Sequence, residues 1–179
     1  MPKIIKNAQA EILEAAKAEL LLNGYGGLTI RAVAARCHIA TGTIYNYYSG
    51  KDVLVAHIML EDWRMALERM RVSCSEAASI TKGFEGMHDA LTDFRSTYNH
   101  IWSEYTFTGM GLSSYRERHT MLVGQLTELI HKLLTRHGAN ESEYLEEFLA
   151  SQILEFGTQM RPFEQFAAVL DRIFKEDNK

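Results

Sequence analysis

LTIRAVAARCHIATGTIYNYYSGKDVL, residues 28–54, is the stretch on which the reading of this chain turns. Thr29 stands just before a run in which Ile30, Val33, Ala34 and Cys37 share one helical face, so it reads as the N-cap of a short helix. His38-Ile39-Ala40 makes a turn, and a third helix runs from Ala40 or Thr41 to Tyr47, where Ser49-Gly50 ends it. Lys51 opens a long fourth helix that reaches Ser75. Three tyrosines, an asparagine and two threonines crowd into residues 41–51. Tyr48 lies on the face of Ile44 and reads as core, and Tyr45 as half core, half surface. The others suit a surface that exchanges hydrogen bonds with something.

Three short helices with a tight turn between the second and third form the pattern of a helix-turn-helix reader of duplex DNA. Thr29 offers a hydroxyl and free N–H groups to a phosphate. The turn needs a residue that tolerates an unusual backbone and then a buried apolar one, places that His38 and Ile39 fill. Ile44 and Tyr48 anchor the third helix, while Thr41, Gly42, Thr43, Tyr45, Asn46 and Tyr47 set small and hydrogen-bonding groups on its other face. Asn46 suits bidentate pairing with adenine. Lys51 puts a cation beside positive backbone dipoles, which is sensible with a phosphate between them.

With the preceding ILEAAKAELLLNGYGGLT, this stretch resembles the DNA-binding domain of TetR-family (TetR/AcrR-like) transcriptional regulators. Thr43-Ile44-Tyr45, Tyr48, and Lys51-Asp52 with Leu54 carry the resemblance, over the amino-terminal quarter of the chain. The chain departs from the family at His38, where glycine is usual, and at Thr41, where a basic or polar side chain is common. The resemblance implies phosphate contacts from Thr29, Thr41, Thr43, Tyr45, Tyr47 and Lys51, with Gly42 and Asn46 nearer the bases. It also implies that the remaining helices bind a small molecule and form a homodimer.

Outward from this stretch the pattern stays helical. Ile5, Ala8, Ile12, Ala15, Ala16 and Leu20 make one buried stripe that stops at Asn23-Gly24. Further helices are expected over Phe84–Tyr105, with Gly83 and Gly86 weakening the start, and over Ser114–Arg136, Glu141–Phe156 and Pro162–Phe174. The expected fold is all-α: residues 1–50 as a helix-turn-helix DNA-binding domain and 51–179 as a helical ligand-binding and dimerisation domain. Tyr144, Phe148 and Phe156, with Phe163, Phe166 and Leu170, give two broad apolar faces that suit a four-helix dimer interface; the alternative is intramolecular core. Met59, Trp63, Met87, Phe94, Tyr98, Trp102 and Tyr105 suit the lining of a pocket for a flat or greasy effector, or plain core. Tyr98, Tyr105, His88 and Asp89 are its candidate polar groups.

Composition narrows the function classes. At 46% hydrophobic and 23% charged residues, the profile is that of a soluble globular protein. No apolar run is long enough to span a membrane, and the amino terminus lacks a secretory signature. Cys37 and Cys74 have no CxxC spacing, which fits a reducing cytoplasm. The chain carries −4 overall, yet residues 1–55 hold six basic residues against four acidic ones, a net +2 that leaves −6 for the remainder. His57 and Glu61 have metal-ligand spacing but no third partner, so no metal or cofactor is expected. No nucleophile elbow, phosphate loop or carboxylate pair occurs, so an enzyme is not expected. The reading is a homodimeric repressor released from a palindromic duplex operator by a small apolar or aromatic ligand. Its rivals are a ligand-independent DNA-binding regulator and a helical small-molecule-binding protein or enzyme.

Overall fold

The structure is a computed structural model that describes residues 8–99, 101, 112–139 and 142–174, with backbone only at 112–116 and 118. Its helices are α1 (Ala8–Gly27), α2 (Ile30–Arg36), α3 (Thr41–Tyr45), α4 (Lys51–Glu76), α5 (Ile80–Thr97), α6 (Leu112–Arg136), α7 (Glu143–Thr158) and α8 (Phe163–Ile173). The described residues contain no strand, and the fold is all-α as expected. Gly24, at φ 68° and ψ 178°, breaks α1 where Asn23-Gly24 was expected to stop it. Two compact units are present, Met1–Trp63 with Thr97–Thr108, and Arg64–Ser96 with Gly109–Lys179.

In the first unit, Ile12, Ala16 and Leu20 of α1 are fully buried along with Val33, Ile44, Leu54 and Val55. Two polar anchors accompany this core. Glu19, itself buried, accepts from Arg36 Nε (2.9 Å) and Nη2 (2.6 Å) and from Asn23 Nδ2 (2.9 Å), which ties α1 to α2. Asp62 on α4 accepts from Lys17 Nζ on α1 at 2.6 Å and from the fully buried Tyr98 phenol.

In the second unit, Phe84, Met87 and Leu91 of α5 are buried with Leu126, Ile130 and Leu134 of α6, Leu149, Ala150 and Ile153 of α7, and Phe166 and Leu170 of α8. Here α5 begins at Ile80, before the expected start at Phe84. Gly83 and Gly86 therefore lie inside the helix, and their role is close approach. A Cβ on Gly83 would meet Leu133 Cδ2 at 2.4 Å, and one on Gly86 would meet Ser73 Cβ at 2.6 Å. Helices packed this closely leave no room for a methyl group.

Three helices end in the same way. The amides of His38 and Ile39 donate to Ala35 and Ala34 at the end of α2, those of Gly138 and Ala139 to Thr135 and Leu134 after α6, and those of Met160 and Arg161 to Gly157 and Phe156 after α7. Each is a Schellman motif, with the first residue of each pair in the left-handed region: His38 at φ 56°, Gly138 at 74° and Met160 at 55°. Only one of the three uses glycine. His38→Gly and Met160→Gly are each expected to raise stability by about 0.5–1 kcal/mol, because the side-chain penalty at positive φ exceeds the entropy that glycine adds to the unfolded chain. Urea denaturation with an unchanged m-value checks this, and a lower midpoint in both variants would contradict it.

Candidate nucleic-acid interface

The Thr29 hydroxyl accepts from the Ala32 amide at 3.1 Å and so caps α2 as expected, leaving its own O–H able to donate outward. Ile39 follows left-handed His38, and the chain then enters α3 without a side-chain cap at Ala40. Ile44 is wholly buried, and Tyr48 is 1% exposed with its hydroxyl 3.5 Å from the Gln9 carbonyl and its ring edge-on to His57. Burial pushes the Tyr48 phenol above its ordinary pKa. These two residues fix the inner face of α3 and the turn after it.

The outer face is open. Thr41, Gly42 and Asn46 are exposed and Thr43 half-buried, while Tyr45 and Tyr47 keep 54% and 47% of their surface in solvent. A Cβ on Gly42 would meet nothing within 4 Å, so the helix start is a smooth surface that another body can approach. Lys51 is engaged instead: its Nζ donates to the Tyr25 carbonyl at 2.6 Å and lies 4.0 Å from the centroid of the Tyr25 ring. The Tyr25 phenol in turn donates to Asp52. This knot seats the start of α4 against the end of α1, and an ammonium with three N–H groups still has donors to spare for a phosphate.

Two features were missed in the sequence. Arg31, exposed on the first turn of α2 beside Thr29, has no partner among the described residues. Among the described residues 8–55, Lys17, Arg36 and Lys51 all have partners within the chain, so Arg31 is the cation most available to an outside anion. Among the described residues of the head, Lys17 and Arg36 have their charge offset by Asp62 and Glu19, which weakens the electrostatic footprint they offer. The second is Tyr25, whose phenol and carbonyl hold Asp52 and Lys51. An aromatic phenol before α2 and a Lys-Asp pair opening α4 were the available signal.

The expected effector residues divide between the two units. Met59 is half-buried, Trp63 buried and Tyr98 wholly buried in the first; Met87 is wholly buried and Phe94 half-buried in the second. Trp102 and Tyr105 lie outside the described residues. The Tyr98 hydroxyl is committed to Asp62. Of the expected interface residues, Tyr144 and Phe148 on α7 are 78% and 45% exposed. Phe166 and Leu170 are instead buried within the chain, where Phe166 packs on Phe84 and Phe156 with ring centroids 5.6 and 5.3 Å apart. Phe156 and Phe163 are half-buried around the same cluster.

Residues 12–58 match the sequence model of bacterial regulatory proteins of the tetR family. The HTH-type transcriptional regulator UidR of Escherichia coli K12 is 33% identical over 63 residues, which span 35% of this chain and 32% of UidR, about a third of that relative's length. The HTH-type transcriptional regulator YfiR of Bacillus subtilis is 26% identical over 142 residues, 73% of this chain and 69% of YfiR. Among solved structures, a TetR-family transcriptional regulator from Pectobacterium atrosepticum superposes with a TM-score of 0.64 at 17% identity, covering 97% of this chain and 95% of that one, which is a likeness of fold.

Proposed function

We propose that this chain, whose residues 12–58 match the tetR-family sequence model, is a TetR-family homodimeric transcriptional repressor that reads a palindromic duplex operator in the cytoplasm and leaves it when a small apolar or aromatic molecule binds. DNA contact is assigned to residues 1–50, and effector binding and dimerisation to residues 51–179. One observation carries the DNA reading. Ile44 and Tyr48 bury one side of the α3 region while Thr41, Gly42, Tyr45, Asn46 and Tyr47 stay open on the other, with Arg31 available nearby in the sequence on α2. A segment this short that exposes two tyrosines and an asparagine suits a partner of matching chemistry. Tyr144 and Phe148, the large exposed apolar side chains of α7, support a second copy as the dimer partner. No helix among the described residues is long and apolar enough to cross a membrane.

The test is selection of bound duplexes from a random pool at two salt concentrations. Recovery of a palindrome with half-sites about 34 Å apart is expected, and no enrichment at either salt would overturn the reading. Two variants then resolve the face. Asn46→Ala is expected to relax preference at one base of each half-site, at a cost of about 1–3 kcal/mol for the preferred base. Arg31→Ala is expected to weaken all sequences alike and to lower the salt slope by about one per protomer. Loss of base preference in Arg31→Ala instead would move Arg31 from the phosphates to the bases.

A second reading, a DNA-binding regulator without an effector, draws on the Tyr98 hydroxyl being satisfied inside the chain by Asp62 rather than offered to a ligand. Screening compounds for release of the selected operator separates the two readings.

A further inference from the structure

A cleft of about 600 Å³ between the first turns of α5 and the first turns of α8 is lined by none of the expected DNA-contact residues and, of the groups expected at an effector pocket, only by His88 and Asp89. His88 forms part of its wall and is 8% exposed. Its Nε2 lies 2.8 Å from the carbonyl oxygen of Arg161, which can only accept, so Nε2 carries the proton. In the neutral ring Nδ1 is then an acceptor, and it is buried with no hydrogen-bond partner among the described residues. At 3.7 Å from it lies Asp89 Oδ1, also an acceptor when ionised. Two acceptors thus face each other, an arrangement that a donor or a positive charge touching both would stabilise. Lys82 in the same cleft pairs with Glu85 and makes no hydrogen bond to His88 or Asp89. Glu164 adds a further carboxylate from the first turn of α8, and the Phe163 ring stands against the imidazole with centroids 5.4 Å apart.

We propose that this cleft binds a small organic ammonium ion, whose N–H groups donate to His88 Nδ1 and Asp89 while its hydrocarbon part lies on Phe163. An anion is disfavoured by the two facing acceptors and by Glu164. A metal ion is disfavoured because no three His, Cys, Asp or Glu side chains among the described residues gather closely enough to hold one. An ammonium needs only two acceptors here, and the volume is within the range of small-molecule sites. The Asp89 side chain, 68% exposed, can swing aside to admit it. The Phe163 face adds cation–π attraction once the charge leaves bulk water.

The experiment uses the whole chain at pH 8 with three probes of one shape: benzylammonium, benzyl alcohol and benzoate. Titration calorimetry is expected to show benzylammonium binding at least ten-fold more tightly than either of the others. Nitrogen NMR of the imidazoles is expected to show the His88 Nδ1 resonance moving on its addition. Asp89→Asn supplies an amide N–H that can satisfy Nδ1 directly, so it is expected to abolish benzylammonium binding while holding or raising the Tm. Equal binding of benzyl alcohol, undiminished binding in Asp89→Asn, or a fall in its Tm would each overturn the proposal. So would an imidazolium already present at pH 8 in the free protein, since a proton would then be the relieving charge. Operator binding plays no part in these readouts, so their failure leaves the DNA reading untouched.

Discussion

Gly157→Ala is expected to lower the stability of the chain by about 2 kcal/mol and its Tm by roughly 4–8 °C. Gly157 is buried on α7, and a Cβ there would stand 2.4 Å from Leu91 Cβ and 3.0 Å from Leu91 Cδ1 on α5. The Cβ is fixed by its own backbone, so a rotamer change at Leu91 does not relieve the overlap; the two helices must separate. Separation also loosens Leu91 and the Ile153 and Leu149 side chains buried alongside. Gly124→Ala is the control. It is exposed within α6, a Cβ on it would meet nothing within 4 Å, and the same substitution there is expected to stabilise by about 0.5–1 kcal/mol through helix propensity alone. Thermal unfolding of both variants decides the matter: equal shifts of the same sign would show that α5 and α7 are not in close approach.

The glycines mark where sequence reading reached its limit. Gly83 and Gly86 read as weak points at a helix start because propensity counts only the cost of glycine, whereas the packing gain comes from residues some 13 to 50 positions away in the chain, Ser73 and Leu133. The second limit was partnership. The apolar stripe through Phe163, Phe166 and Leu170 has the same spacing whether another chain or its own helix covers it, and Phe84 covers Phe166 here. Charge has the same ambiguity: Lys17, Arg36 and Lys51 count as a basic head in sequence but are bound to Asp62, Glu19 and the Tyr25 carbonyl. What was legible was local. The Thr29 cap, the left-handed turn at His38 and the division of α3 and its cap into Ile44 inside and Asn46 outside all depend on residues within a few positions of each other.

Asp62→Ala is expected to cost more than any other single polar change in the first unit, about 3 kcal/mol, and to weaken operator binding with it. Asp62 is nearly buried, its side chain 10% exposed, and it receives both Lys17 and the wholly buried Tyr98 phenol. Lys17, 34% exposed, can recover water when the carboxylate is removed, but the phenol at the centre of the packing cannot. Because Lys17 belongs to α1, the loss also frees the helix that supports the α2–α3 reader, so the affinity change follows the stability change. Tyr98→Phe deletes only the donor and is expected to cost about 1 kcal/mol, and the double variant to cost less than the sum of the two. High pH supplies an independent check. Burial, and then the hydrogen bond to Asp62, raise the Tyr98 pKa well above its ordinary value of about 10. Above that pH the unfolded chain releases this proton while the folded chain retains it, so stability falls as pH rises, by up to about 1.4 kcal/mol per unit from this group. Tyr98→Phe is expected to flatten that decline relative to the parent chain between pH 10 and 11, measured by urea denaturation at each pH. Parallel curves would show that the phenol is solvated in the folded protein and that Asp62 does not hold it.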